Sequence, residues 1–374
     1  MKKILYLLSH PIQYQSPLIK SISSERNIRL KVLYESVFSL KKNYDQEFNK
    51  KIKYDTDLVK DYDFEFITKN KKSNFFLYLL STKKIIDNFK PDFVWIHGYE
   101  SFRKIIIIII CKLLNIKVLV RGESNLINKN LYYYISRKVL FFFLDQFIFK
   151  YLAIGKKNYE FYNEFVKKNK IGFLPYVVDN SFFQKKSVKS KIEKIKRKFK
   201  IKKNSLVFIY TGKVIVKKNV KILIEAFSEL KITNSFLFIV GDGILLKKFK
   251  SEFSQKNLIF TGFVNQSKIS LYYNLSNIFV LPSAYEPWGL SVNEAMNGNN
   301  ALILSSNVGC GEDLLKENKN GYFFKFNNKE DLKLKMLKIS SDQVKLKDMS
   351  KFSKKIIKSW NIDYAKKNFL NSII

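Results

Sequence analysis

A chain of 374 residues, 46% hydrophobic and 16% aromatic, is long enough for two domains with full cores and is neither disordered nor fibrous. Lys and Arg number 68 against 32 Asp and Glu, a formal net charge of +36, so anionic partners are expected: a sugar phosphate, a lipid surface or a nucleic acid. The excess is mostly Lys spread along the whole chain, without the clustering that a nucleic-acid footprint requires. Two cysteines, Cys111 and Cys310, are too few for a disulfide framework and suit a reducing cytoplasm.

In chain order, MKKILYLLSHP has an apolar run too short for a signal peptide and reads as a first buried strand. IRLKVLYES, FVWIHG and KVLVRGES are further strands of the first half. Between the last two, FRKIIIIIICKLLN carries an apolar run from Ile105 to Cys111, well short of the ~20 residues that span a bilayer, and reads as a buried helix. SLVFIYTGK, SFLFIVGDG, NLIFTGF, IFVLPS, NALILSS and GYFFKF are the strands of the second half. VKILIEAFSEL and SKISLYYNLS, apolar at 3.6-residue spacing, are helices between them. Near-continuous apolar strands alternating with helices give an α/β class with parallel sheets.

The basic run at 185–205, KKSVKSKIEKIKRKFKIKKNS, interrupts the series and reads as a linker with the opening helix of a second domain. Domains are therefore expected over 1–185 and 186–355, both Rossmann-like and facing a central cleft. FSKKIIKSWNIDYAKKNFLNSII follows the last strand as an amphipathic helix pair, with 356–374 packing back on the first domain.

Ligands of such sheets bind outside the carboxyl ends of the strands. After the strand LVFIY, Gly212 lets backbone approach a ligand, and Lys213 and Lys218 at the lip of the turn can neutralise a diphosphate; both also read as ordinary surface lysines. In PSAYEPWGLSVNEAM, Ser283 and the backbone of Gly289, Leu290 and Ser291 lie at a helix start, a natural phosphate site. Glu286 and Glu294 can accept paired hydrogen bonds from sugar and ribose hydroxyls. Ser291 and Glu294 equally fit a capping box, in which Glu294 only reaches back to the Ser291 N–H.

YEPWGLSVNEAMNGNNALILSS closely resembles the E-P-F-G-L-x-x-x-E-A-M-A-x-G-x-P-V-I-x-S signature of retaining glycosyltransferases of family 4, which have the GT-B fold. GKVIVKKNVKILIEAF resembles their G-R-x-x-x-x-K-G-x-x-x-L-I-x-A-F, and VGDGILLKKFK and IFTGFVNQSKISLYYNLSNIFVLPS follow in the expected order. LLSHPIQYQSPL, RGESN and YLAIGKKNYEFYNEFVKKNKIGFLPYVVDNSFF extend the resemblance over the first half. The resemblance implies that Glu286 contacts the donor sugar, Glu294 the ribose, and Lys213 and Lys218 the diphosphate. It places the nucleobase at the Val264 backbone and the distal phosphate at Gly289 to Ser291. Lys213 stands where the family usually has Arg, losing the bidentate fork. Asn219 replaces a usual Gly, and Asn299–Asn300 replaces a Gly-x-Pro-like segment.

The first domain would be the acceptor side, with His10, Gln13 and Gln15 after the first strand and His97 ending another. Arg121, Gly122 and Glu123 stand at the strand end where many members carry a His near the reacting carbon. Asp55-Thr-Asp57 and Asp61-Tyr-Asp63 imitate a D-x-D metal motif but are tied to no nucleotide-binding strand end, so no metal and no cofactor is expected. The expected protein is a cytoplasmic retaining glycosyltransferase. It takes a UDP- or GDP-linked sugar, passes it to a growing surface glycan that is lipid-linked or part of a lipopolysaccharide or capsule, and binds no nucleic acid. The family implies front-side attack, in which the leaving phosphate takes the acceptor proton. NKKSNFFLYLLSTKKI and NLYYYISRKVLFFFLDQFIFKY, where cations and aromatics alternate, are candidates for the inner face of an anionic membrane. A sugar-nucleotide epimerase of the same fold is the alternative, and a basic nucleic-acid-binding protein a more distant one.

Overall fold

The computed structural model describes residues 1–48, 50–67, 74–99, 101–127, 129–184 and 189–374. In chain order the strands are β1 (Lys2–Leu8), β2 (Ile28–Tyr34), β3 (Asn43–Asp45), β4 (Lys50–Ile52), β5 (Asp63–Phe66), β6 (Phe93–His97), β7 (Lys117–Arg121), β8 (Lys150–Ala153) and β9 (Ile171–Phe173). Then come β10 (Leu206–Thr211), β11 (Ser235–Val240), β12 (Leu258–Gly262), β13 (Ile278–Leu281), β14 (Ala301–Ser305) and β15 (Gly321–Phe324). The chain forms two compact units. The first comprises Met1–Asn43, Thr56–Val177 and Ile362–Ile374; the second comprises Tyr44–Asp55 and Val178–Asn361.

The border at Val177/Val178 precedes the basic run of 185–205. The border read from sequence at 185 falls on residues 185–188, outside the described residues. The helix of that run spans Lys189–Phe199, within the second unit. Of the terminal helix pair, Gln343–Ser359 belongs to the second unit and Ile362–Ser372 to the first.

The first unit's sheet has the order β5-β2-β1-β6-β7-β8-β9, all of its paired strands parallel. Its central strands bury side chains on both faces, as a sheet covered by helices requires. The Tyr6 ring stacks on Trp95 with centroids 3.5 Å apart, and Phe369 of the terminal helix lies 4.8 Å from Trp95. Ser372 sits over Gly172, where a Cβ would come within 2.7 Å of its hydroxyl oxygen, so a glycine is needed under that helix.

The second unit's sheet has the order β12-β11-β10-β13-β14-β15, again parallel. This is the doubly wound order in which the strand sequence reverses between the first strand and the fourth, here β10 and β13. Every residue of β10, β13 and β14 is buried. Helix Val220–Ser228 turns Val220, Leu223, Ile224 and Phe227 inward and packs against helix Lys329–Ser340. The two short strands β3 and β4 make a separate ribbon.

Among the described residues, nine non-glycine residues have positive φ, and six are asparagine: Asn115, Asn219, Asn234, Asn299, Asn318 and Asn327. Asparagine tolerates the left-handed region because its short amide bonds locally. Two of these, Asn219 (φ +49°) and Asn299 (φ +60°), are the positions where the family signature has glycine. The departure keeps the backbone shape with a second-choice residue. Replacing Asn219 by Ala is expected to lower the second unit's stability by about 1 kcal/mol, while Asn219→Gly holds or raises it. Thermal melts of the two variants that coincide would remove this explanation.

Candidate active site

Strand order reverses at β10 and β13, and ligands of such sheets bind beyond the carboxyl ends of the strands; the loops after these two strands carry Gly212, Lys213, Lys218, Ser283 and Glu286. β10 ends at Thr211, and Gly212 follows with φ +147°, a turn that suits glycine. The Gly212 N–H donates to Val240 O at 3.0 Å. A Cβ on Gly241 would stand 1.8 Å from Gly212 O, so the loops after β10 and β11 touch backbone to backbone. Tyr210, fully buried, donates to Lys213 O at 2.7 Å and pins the turn. The chain then makes a short 3₁₀ turn, Val216–Lys218, and Asn219 leads into helix Val220–Ser228.

β13 ends at Leu281, and Ser283, fully buried, begins the second loop. Ala284 N–H donates to Lys217 O at 2.9 Å, which ties this loop to the first. Pro287 O lies 1.9 Å from where a Cβ on Gly309 would be, so the loop after β14 presses on it from the other side. The Lys218 ammonium donates to a Glu286 carboxylate oxygen, and Ser283 Oγ donates to the same oxygen at 3.3 Å. Thus Lys218 and Glu286, assigned separately to diphosphate and sugar, are partners in this structure.

Helix Leu290–Asn297 starts at Gly289, whose φ of +101° lies in the left-handed region. No side chain caps it, so the N–H groups of Leu290 and Ser291 at its positive end are available to an anion. The capping box is absent: the cap is Gly289 rather than Ser291, and Glu294 turns elsewhere. Its carboxylate accepts a 2.7 Å bond from the Tyr273 hydroxyl, which in turn is 2.6 Å from Thr211 Oγ1. Burial pushes the Glu294 carboxyl up to about 7, against the pull of donors from Tyr273 and Gln266. Val264 follows β12 by two residues and precedes helix Gln266–Leu275, on the loop next to Gly241. Lys213 is held differently from Lys218. Its ammonium lies 3.3 Å from Asp45 and bonds Glu47, both from the segment between β2 and β5.

The first unit gathers a second set of polar groups beyond β1, β6 and β7. Glu123 accepts from the Tyr176 hydroxyl, with the Tyr14 hydroxyl 3.5 Å away. His97 Nε2 stands 3.3 Å from the Tyr176 hydroxyl and 3.9 Å from Glu123. Burial first, then the Arg121 and Lys104 charges, depress His97 to about 3, so its ring stays neutral at physiological pH. His10 is also lowered by burial, and its Nδ1 lies 3.0 Å from Ser9 Oγ. Arg121 is 1% exposed. Its guanidinium donates to Gln15 Oε1, Leu174 O and Pro175 O and lies 4.3 Å from the Tyr176 ring centre. These contacts hold the guanidinium beneath the Tyr176 ring.

Sequence reasoning passed over Tyr14, Tyr176, Tyr273, Asp45 and Glu47. Tyr273 was legible in principle, being near the end of helix Gln266–Leu275 and bonded to Glu294 only 21 residues on, whereas the other four depend on contacts far along the chain. The D-x-D look-alikes are dispersed. Asp55 accepts from Ser267, Asp57 from Val59 N–H, and Asp61 pairs with Lys20. Among the described residues no three His, Cys, Asp or Glu side chains cluster as metal ligands.

Residues 191–356 match the family model described as Glycosyl transferases group 1. The alpha-monoglucosyldiacylglycerol synthase of Acholeplasma laidlawii is 27% identical over 176 residues, 46% of this chain and 44% of that protein. The UDP-Gal:alpha-D-GlcNAc-diphosphoundecaprenol alpha-1,3-galactosyltransferase of Escherichia coli is 30% identical over 212 residues, 53% of this chain and 52% of that protein. The chain thus spans about half the length of these curated relatives. Among solved structures, Anabaena Alr3699/HepE in complex with UDP and glucose superposes with a TM-score of 0.74 at 14% identity, covering 100% of this chain and 99% of that one. The chain therefore has the GT-B fold, and its residues 191–356 match the model of the group 1 glycosyl transferases.

Proposed function

We propose that this protein transfers a sugar from a nucleotide-diphosphate sugar to a surface-glycan or lipid-linked acceptor, with retention at the anomeric carbon. The observation that carries the reading is the meeting of Lys218, Glu286, Ser283 and the uncapped start of helix Leu290–Asn297 at the strand-order reversal of the second unit. Lys218, Lys213 and the helix end supply positive charge where a departing diphosphate would gather negative charge, which is electrostatic stabilisation of a transition state. Glu286, released from Lys218 by the incoming phosphate, is left to accept sugar hydroxyls. Glu294 is placed for a ribose. In the first unit the Glu123, Tyr176 and neutral His97 group offers hydrogen bonds to an acceptor. The relatives named above are transferases and synthases, which does not favour the epimerase alternative. The reading is tested by screening UDP-, GDP- and other nucleotide sugars for thermal stabilisation and for acceptor-dependent transfer. A protein stabilised by none of them would refute it. An epimer formed without acceptor would turn it into the alternative.

Membrane presentation of the acceptor has its own support. On helix Leu131–Leu144, Leu131, Tyr132, Ile135, Val139, Phe142 and Phe143 are exposed at steps of three and four, an apolar stripe left open along the helix. Lys138 is exposed on the same helix, and Lys129 and Arg137 lie over the Tyr133 ring. Among the described residues no helix is long and apolar enough to cross a membrane. An interfacial helix with cations fits an anionic leaflet, where each Lys near the surface adds about 1 kcal/mol. Flotation with phosphatidylglycerol vesicles at low salt is expected to carry the wild type, and Phe142→Ser/Phe143→Ser to release most of it. Equal flotation of the two proteins would discard the stripe as the docking face.

A further inference from the structure

Residues 44–55 leave the first unit between β2 and β5 and pack on the second unit as a strap built on β3 and β4. Asn265 donates from its side chain to Lys53 O at 2.9 Å, and Ser267 donates to Asp55 through its backbone N–H and its hydroxyl. Phe48 meets Phe263 edge to face with centroids 5.4 Å apart, and Lys50 Nζ lies 3.8 Å from Asp242. Asp242, Phe263 and Asn265 belong to the loops that follow β11 and β12, the last two on either side of Val264, and Ser267 to the first turn of the helix after it. The strap therefore lies on the loops read here as the nucleotide's.

Its acids reach the phosphate side as well. Asp45 and Glu47 both engage the Lys213 ammonium, and the Phe48 ring centre is 4.8 Å from Nζ. Burial and the Asp45 charge raise the Tyr54 hydroxyl, and the Lys213 charge opposes them. Two carboxylates two residues apart thus present to Lys213 the paired negative charge that a diphosphate would present. In a chain with 32 acidic residues against 68 basic ones, two of the scarce acids converge on one candidate phosphate ligand. The Glu47 side chain is 58% exposed, so the contact is of the weak kind that exchanges readily.

We propose that the strap is a built-in competitor of the donor: Asp45 and Glu47 hold the Lys213 ammonium in the diphosphate's stead, and a nucleotide binds fully only as the strap lets go. This rests on the reading of the second unit as a nucleotide-diphosphate site. A surface ion pair of one or two carboxylates shifts such an equilibrium by about two- to tenfold. UDP and GDP titrated calorimetrically into wild type and into Asp45→Asn/Glu47→Gln are expected to bind the variant about three- to tenfold more tightly. The isosteric changes leave the fold in place, which the melting temperature checks. In a Lys213→Ala background the same double change is expected to gain nothing. As a second readout, trypsin should cut after the exposed Lys50, Lys51 and Lys53 faster with bound nucleotide than without. Unchanged or weakened binding in the double variant overturns the proposal. So does slower cutting with nucleotide, which would make the strap a lid that closes over its ligand. If wild type binds and the strap variants match it, the strap alone fails. If neither wild type nor any variant binds UDP or GDP, the nucleotide reading fails and the strap with it.

Discussion

Lys218→Ala is expected to lower turnover by about 10²–10³ while the protein remains folded, because one preorganised cation is removed from where the leaving group gathers charge. Lys218 is held by Glu286, with side-chain exposures of 20% and 13%. Such a pair is neither deeply buried nor free. Its loss leaves a carboxylate that keeps Ser283 as donor, so the stability penalty should stay near 1–2 kcal/mol. Lys218→Arg keeps the charge and is expected to recover much of the loss. Glu286→Gln separates the two roles: it frees the ammonium and spares nucleotide affinity, but it takes away a sugar contact and depresses turnover. Steady-state kinetics with the identified donor, beside thermal melts, check the set. Turnover of Lys218→Ala within threefold of wild type would remove that residue from the chemistry.

The second large effect lies at Glu294, whose carboxyl titrates near 7 because burial disfavours its charge. Between its ordinary value of 4.5 and about 7, the folded protein keeps a proton that the unfolded chain has released. Stability contributed by this site therefore falls as pH rises through that window, by about 3 kcal/mol in all. Glu294→Gln removes the slope, so the variant should match wild type near pH 4.5 and exceed it at pH 8. Nucleotide binding should move the other way. Ribose hydroxyls donate to a carboxylate, which favours the ionised form, so wild-type affinity is expected to rise from pH 6 to pH 8 with proton release. The variant should lose about ten- to a hundredfold in affinity at pH 8, as expected for hydrogen bonds to a charged group. Calorimetry in two buffers of different ionisation enthalpy reads the proton directly. A variant with the wild-type pH slope in its melting temperature would show that Glu294 does not titrate there.

The strands of the second half were legible because β10, β13 and β14 are buried on both faces and so read as unbroken apolar runs. The loops after them were legible as well, since glycine and polar residues punctuate the strand ends where ligands of this sheet type bind. Segments β3, β4 and β9 were not, because three residues carry no period that a sequence pattern can detect. The place of Arg121 at a strand end was legible, but the carbonyls that hold it come from Leu174 and Pro175, more than fifty positions on. Asp45 and Glu47 gave no local sign at all, since their partner Lys213 lies 168 and 166 residues away. Charge pairing over such distances is set by tertiary placement, and composition cannot reveal it.

The helix Ile362–Ser372 lays Phe369 beside Trp95 and rests Ser372 on Gly172, and Ile373 O just after it accepts a 2.6 Å bond from Lys2 Nζ. The first unit's earliest strand and its final helix are thus separated in synthesis by nearly the whole second unit. While the polypeptide emerges, the unit that begins first must wait for a piece made after its neighbour is finished. Until then the Trp95 flank lies bare, a stretch of apolar surface of the kind chaperones bind. Cutting the chain once, anywhere between the units, would leave the earlier half without that cover, so an isolated first domain should be built as residues 1–177 joined to 362–374.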